Sequence, residues 1–429
     1  MFFMKKLIVI GCLVVFVLMS ACGNPKYRPD KEQDDHIEHS SQELSEILEM
    51  LDQQLITANQ QFALNIYQAL GNHASEENVF ISPLSISLAL AMTYNGADGE
   101  TKENMANILQ LDGMTVEEVN KGYATLEKII NASDPNVELS IANSLWSRKG
   151  LEFNEDFMQR NKNFYNAEAN ILDFSNSNAA NTINKWVDQN TKGKIKEIIK
   201  GPISEDTILF LINAIYFKGD WTQSFNEKLT SDQEFHLSDG TTIQHPLMSQ
   251  SGSYDYLENE LFQAIRLPYG KEEHLSMLIF LPAEDSDLTK FHSMLTMDNW
   301  NSWMAQFKMS KGSFQMPRFK LEYEATLNDA LKSLGMTAPF ESSKADFNNM
   351  ITGPFKVYID SVKHKSFIEV NEIGTEAAAV TSVEAAITSA RTEPDNFFNM
   401  TVNRPFFFTI MNEPSDTILF MGAIEIPKQ

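Results

Sequence analysis

Apolar residues with helical spacing predict the first two elements of the chain. From Leu44 to Leu70 they recur every three or four positions, which indicates an amphipathic helical region. Ser82-Pro83 then opens a second helix, because serine is a favoured N-cap and proline is tolerated in the first turn. The residues from Leu84 to Met92 are apolar nearly all round, so we expect this helix to be buried at the centre of the molecule.

Strand patterns dominate the second half of the chain. The run 208–217 is apolar on both faces, as in a central strand, and Asn213 within it requires a hydrogen-bond partner. Segments 264–267 and 275–281 flank a Tyr-Gly turn and predict a hairpin. Further strands are predicted at 314–323, 357–370, 406–411 and 418–424. Helices early and strands late are typical of the α+β class.

A segment near the C-terminus, 372–390, holds almost no large side chain. With a period of two, its small and aliphatic residues share one face: Thr375, Ala377, Ala379, Thr381, Val383, Ala385 and Ile387. Glu376 and Glu384 fall on the other face, so the segment could enter a crowded sheet and leave its charges in water. Helical spacing of its aliphatic residues fits as well, and periodicity alone leaves strand and helix open.

The N-terminus has the three-part pattern of a secretory signal. Two lysines precede an apolar run at 7–18, and small residues then lead to Cys22. The run is shorter than the ~20 residues of a membrane-spanning helix. Met19-Ser-Ala-Cys22 resembles a bacterial lipobox, which implies cleavage after residue 21 and lipid attachment at Cys22. An ordinary cleaved signal with an incidental cysteine is the alternative.

Composition and charge define the rest of the organisation. Residues 22–43 are polar and acidic, which predicts a flexible tether, whereas 44–429 shows no linker or repeat and is interpreted as one domain. The formal net charge of −24 argues against nucleic acid as a partner, because phosphate binding requires a basic surface. Both cysteines, Cys12 and Cys22, precede the body, so no disulfide can link its elements. His36 and His39 lie in the acidic tether without a nearby cysteine, and we predict neither a metal nor a cofactor.

The sequence gives no sign of an enzyme. It contains no nucleophile elbow, zinc-protease motif, phosphate loop or dinucleotide fingerprint. His364, within a predicted strand, is the one histidine of interest, and a hydrogen-bonded core role is favoured over a catalytic one. We therefore expect a protein that is not an enzyme.

Ordered sequence blocks across 44–429 resemble the serpin family. They are Asn78-Val-Phe-Ile-Ser-Pro-Leu-Ser, Asn184-Lys-Trp, Asn213-Ala-Ile-Tyr-Phe-Lys-Gly-Asp-Trp, Leu267-Pro-Tyr, Arg404-Pro-Phe and Leu419-Phe-Met-Gly. The resemblance implies an α+β fold of three β-sheets and about nine helices, with a reactive-centre loop exposed at about 372–400.

The resemblance also assigns roles to individual residues. By position, Ser82, Ser85, Asn213 and His364 match the shutter, where the central sheet of a serpin opens. Trp221 matches the breach, where loop insertion begins. The hinge of the loop comprises Glu372, Gly374, Thr375, Glu376, Ala377, Ala378, Ala379, Val380 and Thr381.

The implied function is irreversible suicide inhibition of serine proteases, and of cysteine proteases as a further class. A protease cleaves the loop, forms an acyl-enzyme and is trapped when the loop inserts into the central sheet. Position in the family places the cleaved bond at Thr388–Ser389, which suits an elastase-like or subtilisin-like protease. Arg391–Thr392 is the alternative and would suit a trypsin-like enzyme.

Partners and location follow from the same resemblance. We expect a monomer that forms a covalent complex with its target protease and contacts a membrane through the lipid on Cys22. It would be exported and anchored to the cell envelope, at the outer membrane or cell surface, or released outside the cell. The alternative function is a non-inhibitory, surface-bound binding serpin.

Overall fold

The computed structural model describes residues 44–71, 77–134, 137–204, 206–375 and 397–428. The predicted signal peptide, tether and lipid-attachment residue Cys22 lie outside these residues. So do the hinge positions from Glu376 to Thr381 and both candidate cleavage sites, Thr388–Ser389 and Arg391–Thr392. The division of the chain at residues 22 and 44 stays a prediction.

Nine helices follow a short helical segment at 44–48 in the described part of the chain. Helices α1 to α9 span Gln53–Gly71, Pro83–Tyr94, Gly99–Ile108, Val116–Ala132, Glu155–Tyr165, Ala179–Asn190, Leu288–Ser293, Met297–Met304 and Asn328–Ser333. As predicted, Ser82 caps α2, its Oγ accepting from the backbone N–H of Ser85 at 3.2 Å, and every residue of α2 is buried. Among the described helices none is both long and apolar enough to cross a membrane.

Seventeen strands form three sheets within the described residues. Strands β1 to β9 span Val79–Ile81, Val137–Arg148, Glu152–Phe153, Glu168–Leu172, Leu209–Asp220, Ser231–His236, Thr242–Glu258, Phe262–Tyr269 and Leu275–Pro282. Strands β10 to β17 span Lys308–Pro317, Phe319–Thr326, Ile351–Thr352, Ser361–Val370, Gly374–Thr375, Phe397–Thr401, Phe406–Asn412 and Thr417–Ile424. The predicted α+β class with three sheets is confirmed.

The six-stranded central sheet has the order β11-β13-β14-β5-β2-β4. Strands β5 and β13 also pair directly and in parallel, Phe210–Tyr216 against Ser361–Phe367. One face of the sheet packs against α2. The other face joins a second apolar cluster with Ile183 and Val187 of α6. The larger, nine-stranded sheet runs β1-β17-β16-β9-β8-β7-β10-β15, with β6 paired to β7, and β3 and β12 form the third.

The strand predictions hold in part. The run 208–217 is the core of β5, the hairpin is β8 with β9, and the last pair is β16 with β17. The run 314–323 is not one strand, because the chain turns after Pro317 and continues in a different sheet. Residues 357–360 precede β13. Ile359 N–H donates to Pro339, outside the sheet, and only Asp360 N–H reaches the start of β5, at Leu209.

The exposure expected for the whole segment 372–400 does not hold at its two ends. Glu372 and Thr375 are buried, because Gly374–Thr375 forms β14 inside the central sheet. At the far end, Phe397–Thr401 is β15, which pairs in parallel with β10. Both ends of the predicted loop therefore belong to sheets.

Candidate functional site

The site lies along the contact between β5 and β13, which we call the seam. Over seven residue pairs the two strands bond directly to each other. At one end β14 enters between them, with Gly374 opposite Asp220, and Thr375 opposite both Gly219 and Val370. The seam is therefore closed along most of its length and already divided by a third strand at one end.

Asn213 and His364 are direct partners across the seam. The Asn213 side-chain amide donates to the backbone oxygen of Ser85 at 2.9 Å and to Oδ1 of Asn143 on β2 at 2.5 Å. The same amide nitrogen lies against the Ser85 hydroxyl. The structure thus brings the predicted residues Asn213, His364 and Ser85 into one buried, hydrogen-bonded cluster at the start of α2.

The protonation of His364 follows from these contacts. Because the Asn213 amide nitrogen already donates elsewhere, its Oδ1 is the acceptor for His364, whose Nδ1 lies 2.5 Å away and carries the proton. Nε2 then accepts from the backbone N–H of Ser82 at 3.4 Å. Burial lowers the pKa of His364 to about 3, so the ring is neutral at pH 7 and acts as a hydrogen-bonded core histidine.

Trp221 holds the turn that joins β13 to β14. Its indole Nε1 donates to the backbone oxygen of Asn371 at 2.9 Å, and its backbone N–H donates to that of Ile373 at 2.8 Å. The ring stacks on Tyr269 with 4.4 Å between centroids. The Tyr269 hydroxyl lies 2.7 Å from Oγ1 of Thr375. Two aromatic side chains therefore fix the first residues of the predicted hinge.

Glu372 is anchored although it is acidic. Its side chain is 4% exposed, and Oε1 accepts from Arg318 Nε at 2.6 Å and from the Thr230 hydroxyl at 2.5 Å. Its backbone oxygen accepts from the N–H of Phe225 at 2.8 Å. A buried carboxylate needs such donors, because an unpaired buried charge is strongly unfavourable.

Gly374 occupies a position where the backbones approach closely. A Cβ at this residue would meet the carbonyl oxygen of Gly219 and would lie 2.6 Å from Cα of Asp220. The sequence predicts a conformational pivot here; the structure adds that only glycine fits between β13 and β5. The turn before it is closed by Asn371, whose Oδ1 accepts from the N–H of Ile373 at 3.0 Å.

Sequence reasoning missed several residues of this site. Tyr269 carried a signal, because it ends the Leu-Pro-Tyr block, but nothing linked that block to the hinge. Arg318 and Thr230 carried none, since their partner Glu372 lies 54 and 142 residues away. Asn143 was also missed, because no strand was predicted at the position of β2.

The chemistry of this cluster is structural. Within the described ranges no group of three or more His, Cys, Asp or Glu side chains could hold a metal ion. The one histidine of the seam is neutral and fully engaged with Asn213 and Ser82. The cluster joins β5 to β13 through the Asn213–His364 hydrogen bond and ties both strands to the start of α2.

Comparison with known proteins identifies this architecture. The family profile described as serpin (serine protease inhibitor) matches residues 57–427. The chain belongs to the serpin family. Human leukocyte elastase inhibitor is 36% identical over 386 residues, which cover 87% of this chain and all of that protein. Human serpin B8 is also 36% identical, and the alignment covers 87% of this chain and 99% of that protein.

Solved structures agree with this assignment. A thermophilic serpin, tengpin, in its native state superposes with a TM-score of 0.81 and 32% sequence identity, covering 88% of this chain and 95% of that one. The serpin family and its named relatives are protease inhibitors. This serpin is accordingly a protease inhibitor and not an enzyme, and a protease is its partner.

Proposed function

We propose that this serpin is an irreversible suicide inhibitor of serine proteases that traps its target by inserting the cleaved loop along the seam. One observation carries the proposal: β14 already lies between β5 and β13, antiparallel to both. If the seam opened, the chain after Thr375 could extend β14 and pair with β5 on one side and with β13 on the other.

The register of β14 gives the geometry of insertion. Thr375 pairs with Val370 and Gly219, so counting six residues forward on the loop and six back on each strand places Thr381 opposite His364 and Asn213. These two residues bond each other across the closed seam. An inserting loop must therefore break the His364–Asn213 hydrogen bond, and the Thr381 hydroxyl would offer both of them a replacement.

The small residues of the hinge suit this path. Thr375 faces the interior and is fully buried, and alternation along a strand puts Ala377, Ala379 and Thr381 on the same side. In the extended register, Ala377 would lie between Phe217 and Ile368, both of which are fully buried. A large or charged side chain would have no space there.

The target is proposed from the predicted cleavage site. Cleavage at Thr388–Ser389 follows Ala385-Ala386-Ile387, and small or aliphatic residues suit an elastase-like or subtilisin-like protease. The similarity to proteins named leukocyte elastase inhibitor supports this choice. Cleavage at Arg391–Thr392 would lengthen the inserting arm by three residues and favour release of the protease over trapping.

Export and lipid anchoring complete the proposal. The charged start, the apolar run at 7–18 and Met-Ser-Ala-Cys22 support secretion as a bacterial lipoprotein. Acyl chains at Cys22 would attach the inhibitor to the cell envelope, since two or more chains anchor a protein stably. The acidic tether 22–43 would then separate the inhibitor from the membrane surface.

The experiment is a titration of three proteases with this serpin. Elastase, subtilisin and trypsin are incubated with increasing amounts of it, residual activity is measured, and mass spectrometry locates the cut. Elastase or subtilisin activity should fall to zero near one inhibitor per enzyme, with cleavage at Thr388–Ser389. Loop cleavage with undiminished activity of all three enzymes would instead support a non-inhibitory binding serpin.

A further inference from the structure

A cavity of about 260 Å³ lies between α2, α4 and β2. Six aliphatic side chains form its wall: Leu84 and Leu88 from α2, Leu126 and Ile130 from α4, and Leu139 and Ile141 from β2. Each pair has the spacing of a single face, four residues on a helix or two on a strand. The three elements therefore direct their apolar side chains into the same space.

The face of β2 that lines the cavity is the one turned toward α2. Asn143 continues the alternation of Leu139 and Ile141 along this face. Its Oδ1 accepts from the amide of Asn213, which also donates to the backbone oxygen of Ser85 on α2. The side chains of β2 and α2 thus meet on one side of the central sheet.

The cavity lies where the edge of the central sheet is incomplete. Strand β4 pairs with β2 only from Ser144 onward, so no described strand covers the outer edge of β2 at 139–141. Protein interiors contain few voids larger than a water molecule, and an apolar cavity of ~150 Å³ already binds benzene. This cavity has space for a somewhat larger apolar group.

One carboxylate in the lining has no partner. Among the described residues that line the cavity, Glu127 on α4 is the only charged one. It is half-buried, and it makes no hydrogen bond or ion pair with a described residue. Burial raises the pKa of its carboxyl, because a charge is less well solvated there than in water, and a cation beside it would offset that cost.

Other polar side chains of the lining are already bonded. The Tyr123 hydroxyl donates to Asn59 Oδ1 at 3.2 Å, and the Asn190 amide donates to the backbone oxygen of Trp186 at 2.8 Å. Glu127 is therefore the group that remains to recognise the polar end of a ligand.

We propose that this cavity binds a protonated aliphatic amine, with the ammonium group at Glu127 and the alkyl chain against the leucine and isoleucine side chains. Removal of the alkyl chain from water provides the affinity, and the ion pair provides the specificity. An anionic amphiphile of the same length would place its carboxylate beside Glu127, where like charges repel.

The test is a calorimetric titration of the purified full-length protein, with its loop intact and no protease present. The probes are n-octylamine, 1-octanol and octanoate, which share one alkyl chain length and differ in the head group. Octylamine should bind more tightly than about 1 mM and about fivefold to tenfold more tightly than octanol, with octanoate the weakest. Protease inhibition plays no part in this measurement, so the two proposals fail separately.

Two glutamates on α4 provide matched variants. Glu127→Gln removes the charge and keeps the shape of the side chain, so it should weaken octylamine binding to the level of octanol and leave octanol binding unchanged. Glu117→Gln removes the same charge from an exposed residue that pairs with Lys121 at 3.2 Å. It should leave the binding of all three probes unchanged.

A third variant tests the position of the alkyl chain. Leu139 lines the cavity and is half-buried, so Leu139→Trp should fill part of the space with its larger side chain. Binding of octylamine and of octanol should weaken to the same extent, because Glu127 is untouched. Circular dichroism confirms that each variant is folded.

Three results would overturn the proposal. The first is that octylamine binds no more tightly than about 10 mM. The second is that octanol or octanoate binds as tightly as octylamine, which would exclude recognition of an ammonium group. The third is that Glu127→Gln or a folded Leu139→Trp protein keeps the wild-type affinity for octylamine, because the amine would then bind elsewhere.

Discussion

At the scale of single residues, the buried side chain of Asn213 links the two strands of the seam through its hydrogen bond with His364. An asparagine within an apolar strand needs a partner, and the sequence predicts that much for Asn213. Its partner, His364, lies 151 residues away, so no local pattern could pair them. Ser82 and Ser85 were predictable as the start of a helix, but their contact with the seam depends on tertiary packing.

The neutral His364 predicts a pH dependence of stability. Its pKa in the folded protein is about 3, well below the ~6.5 of an unfolded chain. Below pH 6.5 the unfolded state therefore binds more protons, and the free energy of unfolding falls as the pH falls. Between pH 6 and 5 this group alone contributes a slope of about 1.2 kcal/mol per pH unit.

Urea unfolding of the wild type and of His364→Gln from pH 7 to 5 measures this effect. The variant should lose the part of the slope that one proton causes. His236→Gln is the control, because His236 is exposed and its replacement should leave the slope unchanged. If the free energy of unfolding depended on pH equally in the wild type and in His364→Gln, burial of His364 would have no influence on the pH dependence of stability.

Thr375 is the residue at which insertion should be easiest to block. It is fully buried, and its Oγ1 lies 2.7 Å from the Tyr269 hydroxyl. Thr375→Arg would place a charge in that space, so the hinge should leave the sheet and the loop should become an ordinary substrate. We expect the number of moles of inhibitor needed per mole of protease to rise at least tenfold.

The matched control for this change is Thr57→Arg. Thr57 is exposed on α1, and its hydroxyl bonds only within the helix, to the backbone oxygen of Gln53. That variant should inhibit like the wild type. If Thr375→Arg inhibited equally well, the hinge would not need to enter the sheet.

At the scale of elements, the sequence predicts strands better than it predicts their partners. Apolar runs identified β5, β8, β9, β16 and β17, because continuous burial leaves a strong local signal. The break at Pro317 and the split of that run between two sheets had no such signal. Nor could periodicity show that β14 enters a parallel pair, because this depends on Trp221, Tyr269 and Arg318 from distant segments.

A disulfide across the seam should stop insertion reversibly. Ile215 and Ser366 are direct partners in β5 and β13, and neighbouring strands lie ~4.8 Å apart, within the reach of a disulfide. In a chain with Cys12 and Cys22 replaced by serine, Ile215→Cys with Ser366→Cys should yield cleaved loop but no trapped protease when oxidised. Reduction should restore trapping, as scored by gel electrophoresis.

Each single-cysteine variant serves as the control for the disulfide. Both should trap protease whether oxidised or reduced, since neither can join the strands. Trapping by the oxidised double variant at the wild-type level would mean that the seam does not have to open.

At the scale of the whole molecule, the resemblance of ordered blocks predicted the α+β fold and its family. Insertion along the seam would form backbone hydrogen bonds on both edges of the new strand and break the single row of hydrogen bonds between β5 and β13. About ten further residues, 376–385, would then gain on the order of 5–15 kcal/mol.

The predicted anchor makes a separate, simple prediction. Cys22→Ser should move the protein from the membrane fraction to the soluble fraction and abolish labelling with a radioactive fatty acid. Cys12→Ser, within the apolar run that cleavage would remove, is the control and should leave both unchanged. Membrane association of the Cys22→Ser protein equal to that of the wild type would contradict lipid attachment at this residue.

Insertion along the seam is the central claim, and the thermal midpoint before and after loop cleavage tests it most directly. The loop is cut by a protease at low concentration, and unfolding of intact and cleaved protein is followed by circular dichroism, with Thr375→Arg as a parallel sample. The account predicts that cleavage raises the midpoint by at least about 10 °C, and that the variant shows no rise. An unchanged midpoint after complete cleavage of the wild type would contradict it.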